Sequence, residues 1–184
     1  MIRRSFLALT FALPAAPALA QIEGLTLKPI VKAVREGDEE KVRSALLKGE
    51  SPNQIDANGQ PILMVAVIAG QIPVVETLLK GGAAPDAFDK EGNTSLIRAA
   101  ERGDVEIAEL LLAKNARPDT QNRQGATALS IASRRGYAEL VRVLLAKKAD
   151  PNKADFTGRT PLAYAREAKR PAIEAMLRKA GGRE

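Results

Sequence analysis

The sequence predicts an all-α solenoid of five helix–turn–helix units joined by protruding turns. Three observations predict it. Residues recur at a fixed spacing of 33: Gly37, Gly70, Gly103 and Gly136; Pro52, Pro85, Pro118 and Pro151; Ala33, Ala66, Ala99, Ala132 and Ala165; Ile30, Leu63, Leu96, Leu129 and Leu162; Leu46, Leu79, Leu112 and Leu145. Each period holds two short runs whose apolar residues fall at helical spacing. Aromatics make up only 3% of the chain and Trp is absent, so its 45% of apolar residues are mostly small and aliphatic, as closely packed helices require. A period of this size marks units that cannot bury their apolar faces alone and must stack.

The chain opens on a targeting segment. Arg3 and Arg4 form a positive start, an apolar run follows over residues 6–13, and Pro14 and Pro17 interrupt it. Ala18-Leu19-Ala20 then offers small residues at the two positions a signal peptidase reads. Residues 1–20 are therefore expected to be a signal peptide cleaved after Ala20, leaving Gln21 as the first mature residue. The apolar run is too short to span a bilayer. Arg3-Arg4-Ser5-Phe6-Leu7 also resembles a twin-arginine signal, so the general secretory and twin-arginine routes both stay open. Either route predicts a periplasmic or secreted protein.

Residues 21–28 read as a lead-in and residues 29–184 as the repeat domain, with units near 27–58, 59–91, 92–124, 125–157 and 158–184. The third unit shows the logic best. A small-residue helix over 95–102 is closed by Gly103, where the chain must turn with positive φ. A second helix over 105–114 carries Val105, Ile107, Ala108, Leu110, Leu111 and Leu112 on a broad apolar face. Pro118 cannot continue a helix, and residues 121–125 form a polar, glycine-closed turn. The first unit is weaker, with Lys41, Ser44 and Ala45 where later units are apolar. The fifth has Pro171 at its second helix and Arg178 in place of a core leucine. Terminal units must turn a polar face to water, so atypical ends are expected.

The wording of the period resembles the ankyrin repeat. Asp89-Lys90-Glu91-Gly92-Asn93-Thr94-Ser95-Leu96 looks like that family's opening D-x-x-G-x-T-P-L, and Gly158-Arg159-Thr160-Pro161-Leu162 matches its core. Ala149-Asp150-Pro151-Asn152 looks like the closing A-D-V-N, with Pro for Val. The resemblance covers residues 29–180 and implies a module that binds proteins on its concave face. The histidine that usually follows T-P-L is replaced by Val31, Met64, Ile97, Ser130 and Ala163. Its inter-repeat hydrogen bonds are therefore expected to be missing, leaving the stack to lean more on apolar contact. Ser95, standing for the family's Pro, is expected to cap its helix. Lys148 stands where Gly49 and Gly82 end their helices, a mildly strained choice beside Asn115.

Composition excludes much chemistry. There is no Cys, hence no disulfide, thiolate metal site, thiol nucleophile or lipoprotein-type anchor. There is no His either, which removes the commonest general base and metal ligand. Without Arg3 and Arg4 the 28 basic residues become 26 against 22 acidic, a net of +4. That surplus sits in residues 158–184, whose bases are Arg159, Arg166, Lys169, Arg170, Arg178, Lys179 and Arg183. Lys80-Gly81-Gly82 lacks the spacing of a phosphate loop and reads as a helix-ending turn. Ser95 and Ser130 have no histidine to activate them. Asp86, Asp89, Asp119, Asp150 and Asp155 read as turn residues that cap and bond locally, with no oxygen-ligand loop spacing. No catalytic residue, metal or cofactor is expected.

What remains is surface. Carrying the family's concave positions onto this chain selects Phe88, Lys90, Asn93, Arg102, Gln121, Arg123, Arg134, Arg135, Phe156 and Arg159 as partner-binding residues. Phe88 and Phe156 are either anchors for a partner or aromatics packed on their own turns. The arginines are either carboxylate-binding groups or a solvated face diluted by Glu91, Glu101 and Glu167. The expected function is non-catalytic protein binding in the periplasm by a monomer with no transmembrane segment and no nucleic-acid partner. One sharper version is an inhibitor, immunity or protective accessory factor of one exported enzyme. The competing version is weak binding to an anionic surface through the basic C-terminal end.

Overall fold

The computed structural model describes residues 28–183; the expected signal, residues 1–20, and residues 21–27 of the lead-in lie outside them. The described chain runs through ten helices in five pairs: α1 (Pro29–Glu36) with α2 (Glu39–Leu47), α3 (Ile62–Ala69) with α4 (Ile72–Lys80), α5 (Ser95–Arg102) with α6 (Val105–Ala113), α7 (Ala128–Arg135) with α8 (Ala138–Ala146), and α9 (Pro161–Glu167) with α10 (Pro171–Lys179). Each pair is one unit. Extended structure among the described residues is confined to isolated bridges in two turns, Ile55 to Pro61 and Phe88 to Thr94.

Local chemistry sets the ends of these helices. Thr94, Thr127 and Thr160 each accept the backbone N–H three residues on, from Ile97, Ser130 and Ala163. The expectation that Ser95 caps α5 is thus corrected. Thr94 is the cap, and Ser95 is the first helical residue, buried with its Oγ unpartnered. At the close of the second helices, Gly49, Gly82, Asn115, Lys148 and Gly181 all have positive φ. Lys148 (φ 63°) does carry the strain its position implies, and Lys169 (φ 54°) adds a second instance in the last unit. Pro171 starts α10 at its first position, where a missing N–H costs nothing.

The first helices α1, α3, α5, α7 and α9 stack on one another, and so do the second helices. From the second unit on, the first-helix row packs more tightly, and the alanine row Ala33, Ala66, Ala99, Ala132 and Ala165, wholly buried, lets backbones approach. The side of the first helices and the turns is the one expected to be concave. The core between the rows is Ile30, Leu63, Leu96, Leu129 and Leu162 with Ala45, Leu78, Leu111, Leu144 and Leu177, all buried.

Side-chain hydrogen bonds at positions other than the missing histidines also join the units. Asn53, Asp86, Asp119 and Asn152, again 33 apart, each accept a backbone N–H of the next unit. The donors are Ala84 (2.7 Å), Arg117 (2.9 Å), Asp150 (2.8 Å) and Arg183 (2.8 Å). These bonds satisfy the chain where it leaves each second helix. At the histidine position itself, Val31, Met64 and Ile97 are simply buried, while Ser130 bonds back to Thr127.

Candidate functional site

The turns that line the concave side are built on one repeated side chain. Asp56, Asp89, Asn122 and Asp155 are 33 apart and buried. The Oδ1 of each accepts two backbone N–H groups of its own turn: Asn58 and Gln60, Glu91 and Asn93, Gln124 and Ala126, Thr157 and Arg159, all at 2.8–3.0 Å. Asp86, Asp119 and Asp150 also accept backbone N–H groups in the connections between units. Adjacent turn tips are tied as well, Arg123 N–H to Glu91 O at 3.0 Å and Phe156 N–H to Gln124 O at 3.3 Å.

Three of the four buried turn side chains are charged, and each has a donor partner. Arg35 donates to Asp56 at 3.0 Å, Arg98 to Asp89 at 2.5 Å, and the Tyr164 hydroxyl to Asp155. Burial opposes ionisation of Asp56, Asp89 and Asp155, but the hydrogen bonds outweigh it and hold all three carboxyls below the usual carboxylate range, Asp155 most strongly. A depressed folded-state pKa stabilises the fold above the ordinary carboxylate pKa of about 4, and this is lost as pH falls through the folded value. The melting temperature should therefore drop on acidification from pH 5 to pH 3. Asp155→Asn, which copies Asn122, should melt lower at pH 7 but fall less over that interval. Parallel curves for the two proteins would contradict this role.

The ten residues selected from the sequence fall into distinct groups. Phe88 (68% exposed) and Phe156 (70% exposed) stand at the turn tips. Phe156 also lies over Gly125 of the preceding turn. Lys90 is exposed and drapes over Gly59 in the same way. Asn93, expected at the surface, is only 5% exposed; it donates to Asp89 and accepts from Asn122 at 2.9 Å, holding two turns together. Gln121 is half-buried and donates to Gly125 O and Ala154 O at 2.7 and 2.9 Å, a structural cross-brace.

The five arginines are not equivalent. Arg102 is a clamp: it donates to Ile68 O at 2.8 Å, covers Gly70, and lies 3.7 Å from Asp104. Arg159 lies between Asp155 (3.5 Å) and Glu167 (3.7 Å). Arg123, Arg134 and Arg135 are exposed and form no ion pair among the described residues. Arg134 and Arg135 belong to the fourth unit and Arg123 to the turn that leads into it, so the unpaired arginines of this face are concentrated there.

Beside them is a hollow of about 390 Å³ between the last two turns and helices α7 and α9, lined by Ser130, Ile131, Arg134, Asp155, Thr157, Arg159 and Tyr164, with Glu101 at its rim. Arg159 lies over the Tyr164 ring at 4.7 Å and Arg134 at 5.6 Å from the centroid. Sequence reasoning missed Tyr164. Its signal was the register: Tyr164 follows Ile131 and Arg98 by 33 and 66 residues, on the face of the first helix turned toward the turns. No cluster of acidic residues suited to a metal ion occurs among the described residues, and no helix there is long and apolar enough to cross a membrane.

Comparison with known proteins gives two family matches. A family model described as ankyrin repeats (3 copies) matches residues 30–122, and another, ankyrin repeats (many copies), matches residues 110–165. No curated protein matches the chain.

Proposed function

The chain belongs to the ankyrin-repeat family, whose repeats indicate a protein–protein interaction module, and we propose that it works outside the cytoplasm as a non-catalytic monomer that binds one partner protein on its concave face around the fourth unit. The observation that carries this reading is the set Arg123, Arg134 and Arg135, which form no ion pair among the described residues, together with exposed Phe156. Arginine and aromatic side chains carry most binding energy at interfaces. Their backbone is held on paired helices and doubly bonded turns, so little backbone ordering opposes association. A sharper form of the proposal is that the partner is an exported enzyme that the module inhibits or protects.

Export rests on the N-terminal segment, with its two arginines, short apolar run and Ala18-Leu19-Ala20. Intact-mass measurement of the protein recovered from the periplasm should show a chain beginning at Gln21. A full-length cytoplasmic species as the sole product would overturn the localisation. Capture from periplasmic extract, followed by mass spectrometry, should then return one protein with an acidic surface that is retained at low salt and eluted as salt is raised. Capture of lipid or polysaccharide in place of protein would overturn the partner class.

A further inference from the structure

The hollow beside Tyr164 has a chemistry that narrows what the partner presents. Two cations and two acids line it: Arg134, Arg159, Glu101 and Asp155. Asp155 is consumed, because its carboxylate accepts the Tyr164 and Thr157 hydroxyls and two backbone N–H groups, with Arg159 Nε 3.5 Å away. Glu101 is taken by Arg98 at 2.9 Å. Arg159 faces Asp155 and Glu167. Arg134 alone among the ionised groups of the hollow has no partner of opposite charge among the described residues; it lies instead over the ring of Tyr164.

Tyr164 is 7% exposed and fixed by its bond to Asp155, so it is a rigid shelf. A guanidinium resting over an aromatic ring keeps its N–H edge free while losing much of its rotational freedom. That edge is the part that recognises a carboxylate bidentately. We infer that the hollow is a subsite for a single acidic side chain of an extended partner segment, whose carboxylate pairs with Arg134 over the Tyr164 ring. The inference rests on the concave-face reading above and adds the chemical group that is recognised and the residue that recognises it.

The test uses the full chain and two blocked peptides, acetyl-Gly-Gly-Glu-Gly-Gly-amide and its Gln counterpart, titrated at pH 7 and low salt. The readout is the NMR signals of the arginine Nε–H groups and the Tyr164 ring. The Glu peptide should shift the Arg134 and Tyr164 signals saturably, and the Gln peptide should bind at least ten-fold more weakly. Arg134→Gln should weaken the Glu peptide at least ten-fold, while Lys147→Gln, an exposed cation at the end of α8 away from the hollow, should change it less than two-fold, with both variants keeping the parent amide spectrum. Equal binding of the two peptides, or shifts confined to Arg123 and Arg135, would overturn the subsite. Should a natural partner still lose affinity when Arg134 and Arg135 are reversed in charge while the peptides show no preference, the subsite falls and the concave-face reading stands.

Discussion

Leu111→Ala should lower the unfolding free energy by about 2–5 kcal/mol, the range for emptying a buried leucine site that cannot collapse. Leu111 is fully buried in α6, in the row formed by Leu78 in α4 and Leu144 in α8. The two neighbouring units are fixed by their own inter-unit hydrogen bonds, at Asp86 to Arg117 and Asp119 to Asp150, so neither can move in to fill the space. Arg134→Ala, on the exposed end of α7, should cost under about 0.5 kcal/mol. Urea titration of both variants measures the contrast. Equal losses would mean that the helix faces are assigned wrongly.

Gly125→Ala should be comparably damaging, by about 2–4 kcal/mol, through two separate causes. Gly125 has φ 79°, which an alanine adopts only with strain. A Cβ there would also collide with the backbone N of Phe156 and approach the Phe156 ring at 2.8 Å. The ring could swing away, but the backbone could not without breaking the bond from Phe156 N–H to Gln124 O that ties the last two turns. Because Gln124, whose carbonyl accepts that bond, lines the Tyr164 hollow, Gly125→Ala should disturb the hollow as well as the stability. By contrast, Gly49→Ala carries the same kind of strain, at φ 86°, with no atom in the way, and should cost less. Denaturation midpoints of the two variants separate strain from collision.

The parts of this molecule legible in its sequence are those written by repetition. Rows of Leu, Ala, Gly and Pro at a spacing of 33 mark helices and stops, and α5 begins and ends where the pattern of the third unit places it. Polar residues were harder to read, because the same residue types serve turn tips and buried braces. Asn93 and Gln121 sit at turn positions, yet their side chains fold inward to neighbouring turns. Arg102 looked like a free cation because its acceptor, the Ile68 carbonyl, lies 34 positions back on another unit. The bonds of Asn53, Asp86, Asp119 and Asn152 to the next unit carry a 33-residue signature as clear as that of the glycines. What the spacing alone does not show is that these side chains reach across to the next unit. Tyr164 was hidden for a different reason: an aromatic on the first helix reads as core until the ion pairs around it are known.

The central claim is that the fourth unit's arginines receive an acidic partner. The most direct measurement is the association rate of the captured partner with the parent chain and with a double variant, Arg134→Glu with Arg135→Glu, at several salt concentrations. The two positions are exposed and make no ion pair among the described residues, so folding should be unchanged. The variant should associate at least roughly ten-fold more slowly at low salt, with the gap closing as salt screens the charges. Identical rates for the two proteins at every salt concentration would contradict the claim and leave these arginines as a solvated face.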